Sequence, residues 1–107
     1  MPALAQQTRI VFFPDWSGAI DDSAKSVIDQ AAAAAKQSPG AGITVTGYAD
    51  STGSAQANIY LTQLRAQRVI DAMVADGVPA SRLKMVAAGR QEEPGVASRR
   101  VEILIGQ

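Results

Sequence analysis

Ile43 to Pro79 reads ITVTGYADSTGSAQANIYLTQLRAQRVIDAMVADGVP. Its first six residues, Ile43 to Tyr48, alternate apolar and polar side chains, the period of a half-buried strand. Gly47 sits inside that run. A glycine there weakens the strand and lets another backbone come close. Asp50 to Ser54, D-S-T-G-S, is a turn-rich loop. From about Ala55 to Asp76, Leu61, Ala66, Val69, Ala72 and Met73 recur at helical spacing. Gly77 suits the position just past a helix end, and Pro79 prevents continuation.

Working outward, Arg9 to Phe13 (R-I-V-F-F) is a short apolar run stopped by Pro14, which cannot donate to a ladder; it reads as a buried strand. Asp21 or Asp22 can cap a helix whose apolar positions are Ala24, Val27, Ile28, Ala31 and Ala35. The alanine run has high helix propensity and little bulk, so that face can approach a sheet closely. Ser38-Pro39-Gly40 ends it. On the C-terminal side, Pro79 to Leu83 forms at most one helical turn and Lys84 to Ala88 a third strand. Gly89 to Ser98 is a loop, and Arg100 to Ile105 a fourth strand. The order β-α-β-α-β-β, with right-handed crossovers, predicts an α+β two-layer sandwich: two main helices on one face of a four-stranded mixed sheet. The last two strands are close enough in sequence for an antiparallel hairpin. Residues 1–8 read as an N-terminal tail and 9–107 as one domain. Ala3-Leu4-Ala5 has the small-x-small shape of a signal-peptidase site, or is a chance alanine pattern.

The bulk composition excludes several function classes. The 107 residues are 47% hydrophobic and 19% charged, and ten basic residues balance ten acidic ones. A net charge of zero without a basic stripe gives no electrostatic draw toward nucleic acid. No apolar run is long enough for direct membrane insertion by this domain. There is no histidine and no cysteine, which removes the usual general base, thiol nucleophile and zinc ligands. Neither a cofactor nor a metal is implied, and an enzyme finds few of the catalytic groups it would need.

Val45 to Val74 resembles the OmpA-like domain family, whose pattern is G-H/Y-T-D-x-x-G-S/T followed by N-x-x-L-S/T-x-x-R-A-x-x-V. The matching residues are Gly47, Tyr48, Asp50, Gly53, Ser54, Asn58, Leu61, Thr62, Arg65, Ala66 and Val69. Gly77-Val78-Pro79 resembles the step that follows, and Ser98 to Ile103 (S-R-R-V-E-I) the family's terminal N-R-R-V-E-I. The resemblance covers roughly residues 9 to 105. It implies a periplasmic module, associated with the outer membrane or cell wall, that binds peptidoglycan noncovalently through the diaminopimelate of the stem peptide. Such a module anchors an envelope protein or the outer membrane to the wall, with envelope proteins as further partners. The alternative is a degenerate relative that keeps the fold and serves as a protein-interaction module.

Carried over by position, the family's principal ligand contacts are Asp50 and Arg65. Spacing alone reads them more plainly, Asp50 as a turn former and Arg65 as a solvated helix residue. The implied chemistry is coherent. Diaminopimelate presents an ammonium and a carboxylate, so Asp50 takes the first and Arg65 forks onto the second. Backbone N–H groups of the loop that holds Ser51, Thr52 and Gly53 can add donors beside a helix N-terminus. Arg65 lies ~15 Å into its helix at 1.5 Å per residue. The loop must therefore run outward before the helix returns, to bring Arg65 level with Asp50. Asn58 either contacts ligand or caps the loop. Thr62 is structural, bonding back along the helix. Arg100 either lines the pocket rim or pairs with a nearby carboxylate. Ala49 and Ser98 stand where relatives carry Thr and Asn. They leave the Asp–Arg pair intact but thin its polar surroundings, which favours weaker binding or an altered stem preference.

Overall fold

The computed structural model describes residues 7–13, 18–49, 55–90 and 99–106. The elements are β1 (Gln7–Phe12), α1 (Asp22–Gln37), β2 (Ile43–Ala49), α2 (Ala55–Ala75), a single 3-10 turn (Ala80–Arg82), β3 (Leu83–Arg90) and β4 (Arg100–Ile105). Both helices lie on one face of a four-stranded sheet of order β1-β4-β2-β3. α1 covers β1 and β4, while α2 covers β2 and β3. Gln7 and Thr8, expected in the tail, belong to the sheet, opposite Ile105 and Leu104. The Ala3-Leu4-Ala5 motif lies outside the described residues.

The expected β3–β4 hairpin does not form. β3 runs parallel to β2, and β4 inserts antiparallel between β1 and β2. Burial explains the choice. Val101, Ile103 and Ile105 all face the helices and are at most 2% exposed, which requires cover from both helices and therefore a central position. Lys84, Met85, Val86 and Ala87 of β3 are exposed, as suits a strand on the edge.

β1 also departs from expectation. Only Val11 and Phe13 are buried, while Ile10 and Phe12 are 40% and 47% exposed. The strand is half-buried because the sheet has helices on one side only, and successive side chains alternate between the two faces.

Local chemistry sets the helix ends. Asp21 caps α1, its side chain accepting from the Ala24 N–H at 2.8 Å. Its buried Ala24, Ala31, Ala32 and Ala35, with Ile28 as the one bulky member, seat the helix close to the sheet. α2 ends as Gly77 requires. That residue has φ 101°, its N–H reaches the Val74 carbonyl, and the Val78 N–H reaches that of Met73. This is the Schellman pattern. The other cap comes from far along the chain. Arg82 donates from Nε and Nη2 to the Ala41 carbonyl, from Nη1 to Ala35 and from Nη2 to Ser38, at 2.8–3.1 Å.

Where the two helices meet, Asp29 of α1 faces Asp76. Lys25 donates to both Asp29 oxygens, and the Lys36 ammonium reaches the Asp76 carbonyl. Asp76 Oδ2 is enclosed and meets no donor among the described residues. Protonation turns it into a donor toward Asp29. That hydrogen bond, then desolvation and the Asp29 charge, hold the Asp76 carboxyl above its ordinary value; Lys25 and Lys36 pull weakly the other way. Asp29 is held below its ordinary value, by the bond from Asp76 and then by Lys25. The linkage signs are opposite. The Asp76 contribution is complete below the unfolded value and fades as pH rises through the raised one. That of Asp29 is complete above the unfolded value and fades as pH falls through the lowered one. Carboxyl-carbon NMR should find Asp76 titrating above Asp29. Asp76→Asn, whose amide donates at every pH, should raise the neutral-pH melting temperature and flatten its mildly acidic dependence. Equal titration midpoints for the two would refute the shared proton.

Candidate functional site

The sheet-facing stripe of α2 runs Asn58, Thr62, Arg65, Val69, Met73, and all five are buried. Spacings of three and four make it one helix face. Its C-terminal half is apolar and its N-terminal half polar. The polar half lies toward the end of the sheet from which β2 leads to Asp50.

Gly47 sets how closely α2 approaches. A Cβ there would lie 2.6 Å from the Thr62 carbonyl oxygen, 3.1 Å from Thr62 Cγ2 and 3.4 Å from Ala66 Cβ. The helix is therefore seated directly on the β2 backbone, and the turn that holds Arg65 lies level with Gly47. In the sequence Asp50 follows Gly47 by three residues. Helix side chains lean toward the helix N-terminus, so that of Arg65 leans toward the start of α2. Asp50, Ser51, Thr52, Gly53 and Ser54 themselves lie outside the described residues.

Arg65 is fully buried, so the plain reading of a solvated helix residue does not hold. Its guanidinium carbon is 5.2 Å from the centroid of the Phe13 ring, within cation–π range. Phe13 directly follows β1 and is itself buried. Asn58 is buried too, and its carbonyl accepts from the Thr62 hydroxyl at 2.7 Å, the back-bond along the helix expected of Thr62.

Arg100 is not brought together with Arg65. Its neighbour Val101 faces the helices, so strand alternation turns Arg100 to the uncovered side of the sheet. There its guanidinium lies 3.9 Å from the Tyr48 ring centroid and its Nε donates to Glu102 Oε2 at 2.8 Å. The carboxylate expected near Arg100 is thus Glu102 itself, two residues along the same strand.

The burial of Asn58 and Arg65 was not apparent from apolar periodicity, which follows only the apolar members of a stripe. The signal was available in the three-four spacing with Val69 and Met73, and in the close approach that Gly47 permits.

Two helices on one face of a four-stranded mixed sheet, with a buried arginine on α2, define a small α+β domain. The sequence model of the OmpA family matches residues 12–102, and the chain belongs to that family. Among curated proteins it is 31% identical over 86 residues to a peptidoglycan-associated lipoprotein of Rhizobium meliloti (strain 1021), across 80% of this chain and 49% of the relative. It is 34% identical over 87 residues to the peptidoglycan-binding protein ArfA of Mycobacterium bovis (strain ATCC BAA-935 / AF2122/97), across 74% of this chain and 27% of that protein. The crystal structure of the peptidoglycan-associated lipoprotein from Burkholderia pseudomallei superposes with a TM-score of 0.81 at 27% identity, covering 91% of this chain and 89% of that one. The chain spans half the length or less of these two curated relatives.

Proposed function

We propose that this domain binds peptidoglycan noncovalently, holding the diaminopimelate of a stem peptide between Asp50 and Arg65, and so ties an envelope protein to the cell wall from the periplasmic side. The observation that carries this is Arg65: a guanidinium fully withdrawn from solvent at the end of the sheet where β2 leads to Asp50. A guanidinium held in one place by its surroundings forks onto a carboxylate, and a zwitterionic ligand offers that carboxylate together with an ammonium for Asp50. Names borne by the relatives support the same polymer. The role is binding rather than catalysis, since a carboxylate facing an arginine makes a poor base. Single-site affinity is low, and anchoring comes from many copies meeting a repeating polymer.

The experiment is retention on insoluble diaminopimelate-type sacculi. Asp50→Ala and Arg65→Lys should each reduce retention about tenfold or more, the scale of losing one charge-assisted hydrogen bond. Arg65→Lys keeps the charge but loses the fork, and matched circular dichroism melts separate lost binding from lost folding. Retention equal to the parent protein for both folded variants would overturn the site and favour a protein-interaction role.

A further inference from the structure

We propose that the uncovered face of the sheet is a second contact for the same polymer, taking the glycan strand to which the stem peptide is attached; this rests on the peptidoglycan reading above. Neither helix lies on that face, and its residues form rows across the strands. Phe12 of β1 pairs with Arg100 of β4, and Arg100 stacks on Tyr48 of β2. In the next row, Glu102 lies between Ile10 and Thr46.

Phe12 and Tyr48 are two strand spacings apart, ~10 Å, a span on the scale of two linked sugar rings. Phe12 is the residue before Phe13, whose ring packs on Arg65, and Tyr48 is two residues before Asp50. The aromatic row therefore lies at the same end of the sheet as the stem-peptide site. A stem held there brings its own glycan within reach.

The chemistry of the face favours sugar over a protein partner. A protein interface has an apolar core depleted of charge. Here the middle of the face is the Arg100–Glu102 ion pair, with side chains 21% and 30% exposed. Covering that pair with apolar protein surface would desolvate it without compensation. Sugar hydroxyls replace water on a carboxylate and guanidinium, while the apolar ring faces of the sugars stack on Phe12. The rest of the face, Thr8, Thr44 and Thr46 beside Ile10, Leu104 and Val86, with Lys84 at its edge, mixes hydroxyls and apolar surface in the same way.

The test is a set of NMR titrations of the whole chain with three ligands: a diaminopimelate-containing tripeptide, peptide-free glycan fragments of alternating N-acetylated sugars, and the disaccharide-tripeptide. The glycan fragments should shift Phe12, Thr46 and Arg100 signals. The disaccharide-tripeptide should bind several-fold tighter than the tripeptide. Phe12→Ala, at a half-exposed position, should abolish that difference and leave tripeptide affinity unchanged, while Phe12→Tyr should retain it. Silence of the open face toward glycan fragments, or an undiminished difference in Phe12→Ala, overturns the proposal. Signals that instead move with protein concentration alone identify a self-association face and overturn it as well. A silent tripeptide alongside a responsive open face overturns the stem-peptide site and leaves the glycan contact standing.

Discussion

Gly47→Ala should destabilise the domain by about 3 kcal/mol, the upper part of the range for overpacking a tight contact, or roughly 15 °C in Tm for a chain of this size. The added methyl would lie 2.6 Å from the Thr62 carbonyl oxygen. That oxygen is part of the α2 backbone and cannot rotate aside, so the helix as a whole must move outward. Trimming the Thr62 side chain would not relieve the clash, because the methyl Cγ2 is only the second-nearest atom, at 3.1 Å. The displaced turn carries Arg65, so sacculus retention should fall further than the unfolded fraction accounts for. Urea melts together with retention at a temperature where the variant stays folded test both effects. A loss below about 1 kcal/mol, the size of an ordinary surface-to-core adjustment, would mean that α2 is not seated on β2 as described.

Arg82→Ala should cost about 2–3 kcal/mol, since hydrogen bonds to a charged donor contribute ~1.5–3 kcal/mol and this guanidinium serves three carbonyls at once. The Ala35, Ser38 and Ala41 oxygens lie at and just beyond the end of α1; the first two also accept from the Ser38 and Ala41 N–H groups, and the guanidinium ties all three together. Arg82→Lys keeps the positive charge near the helix C-terminus but has no planar fork to span separate acceptors. It should recover less than half of the loss, read as the urea midpoint at constant slope. Full recovery by lysine would assign the effect to the helix dipole rather than to geometry. Both variants leave Asp50 and the loop after it untouched in sequence.

Much of the fold can be read from local patterns because local chemistry carries it. The alternation of Ile43 to Tyr48, the capping by Asp21 and the stop at Gly77 are each decided within a few residues. The family motif from Gly47 to Val69 has the same property, since strand, loop and helix follow one another without interruption. Strand order has no such local signal. Arg100 to Ile105 reads as a strand wherever it is placed, and short-range reasoning pairs it with its sequence neighbour. What inserts it between β1 and β2 is that Val101, Ile103 and Ile105 need cover that only two helices side by side provide.

The site divides along the same line. The residue types and their spacing, Asp50 followed by Arg65 in a family pattern, stand in the chain by themselves, as does the absence of histidine and cysteine. Whether an arginine ten positions into a helix is solvated or enclosed depends on how near the helix lies to the sheet, and that distance is set by Gly47 across the fold. Arg82 reaching α1 and Arg100 turning to the uncovered face are likewise products of packing. Sequence patterns report the conformation of neighbours along the chain. The environment of a side chain is made by elements distant in sequence, and so only the assembled layers decided it.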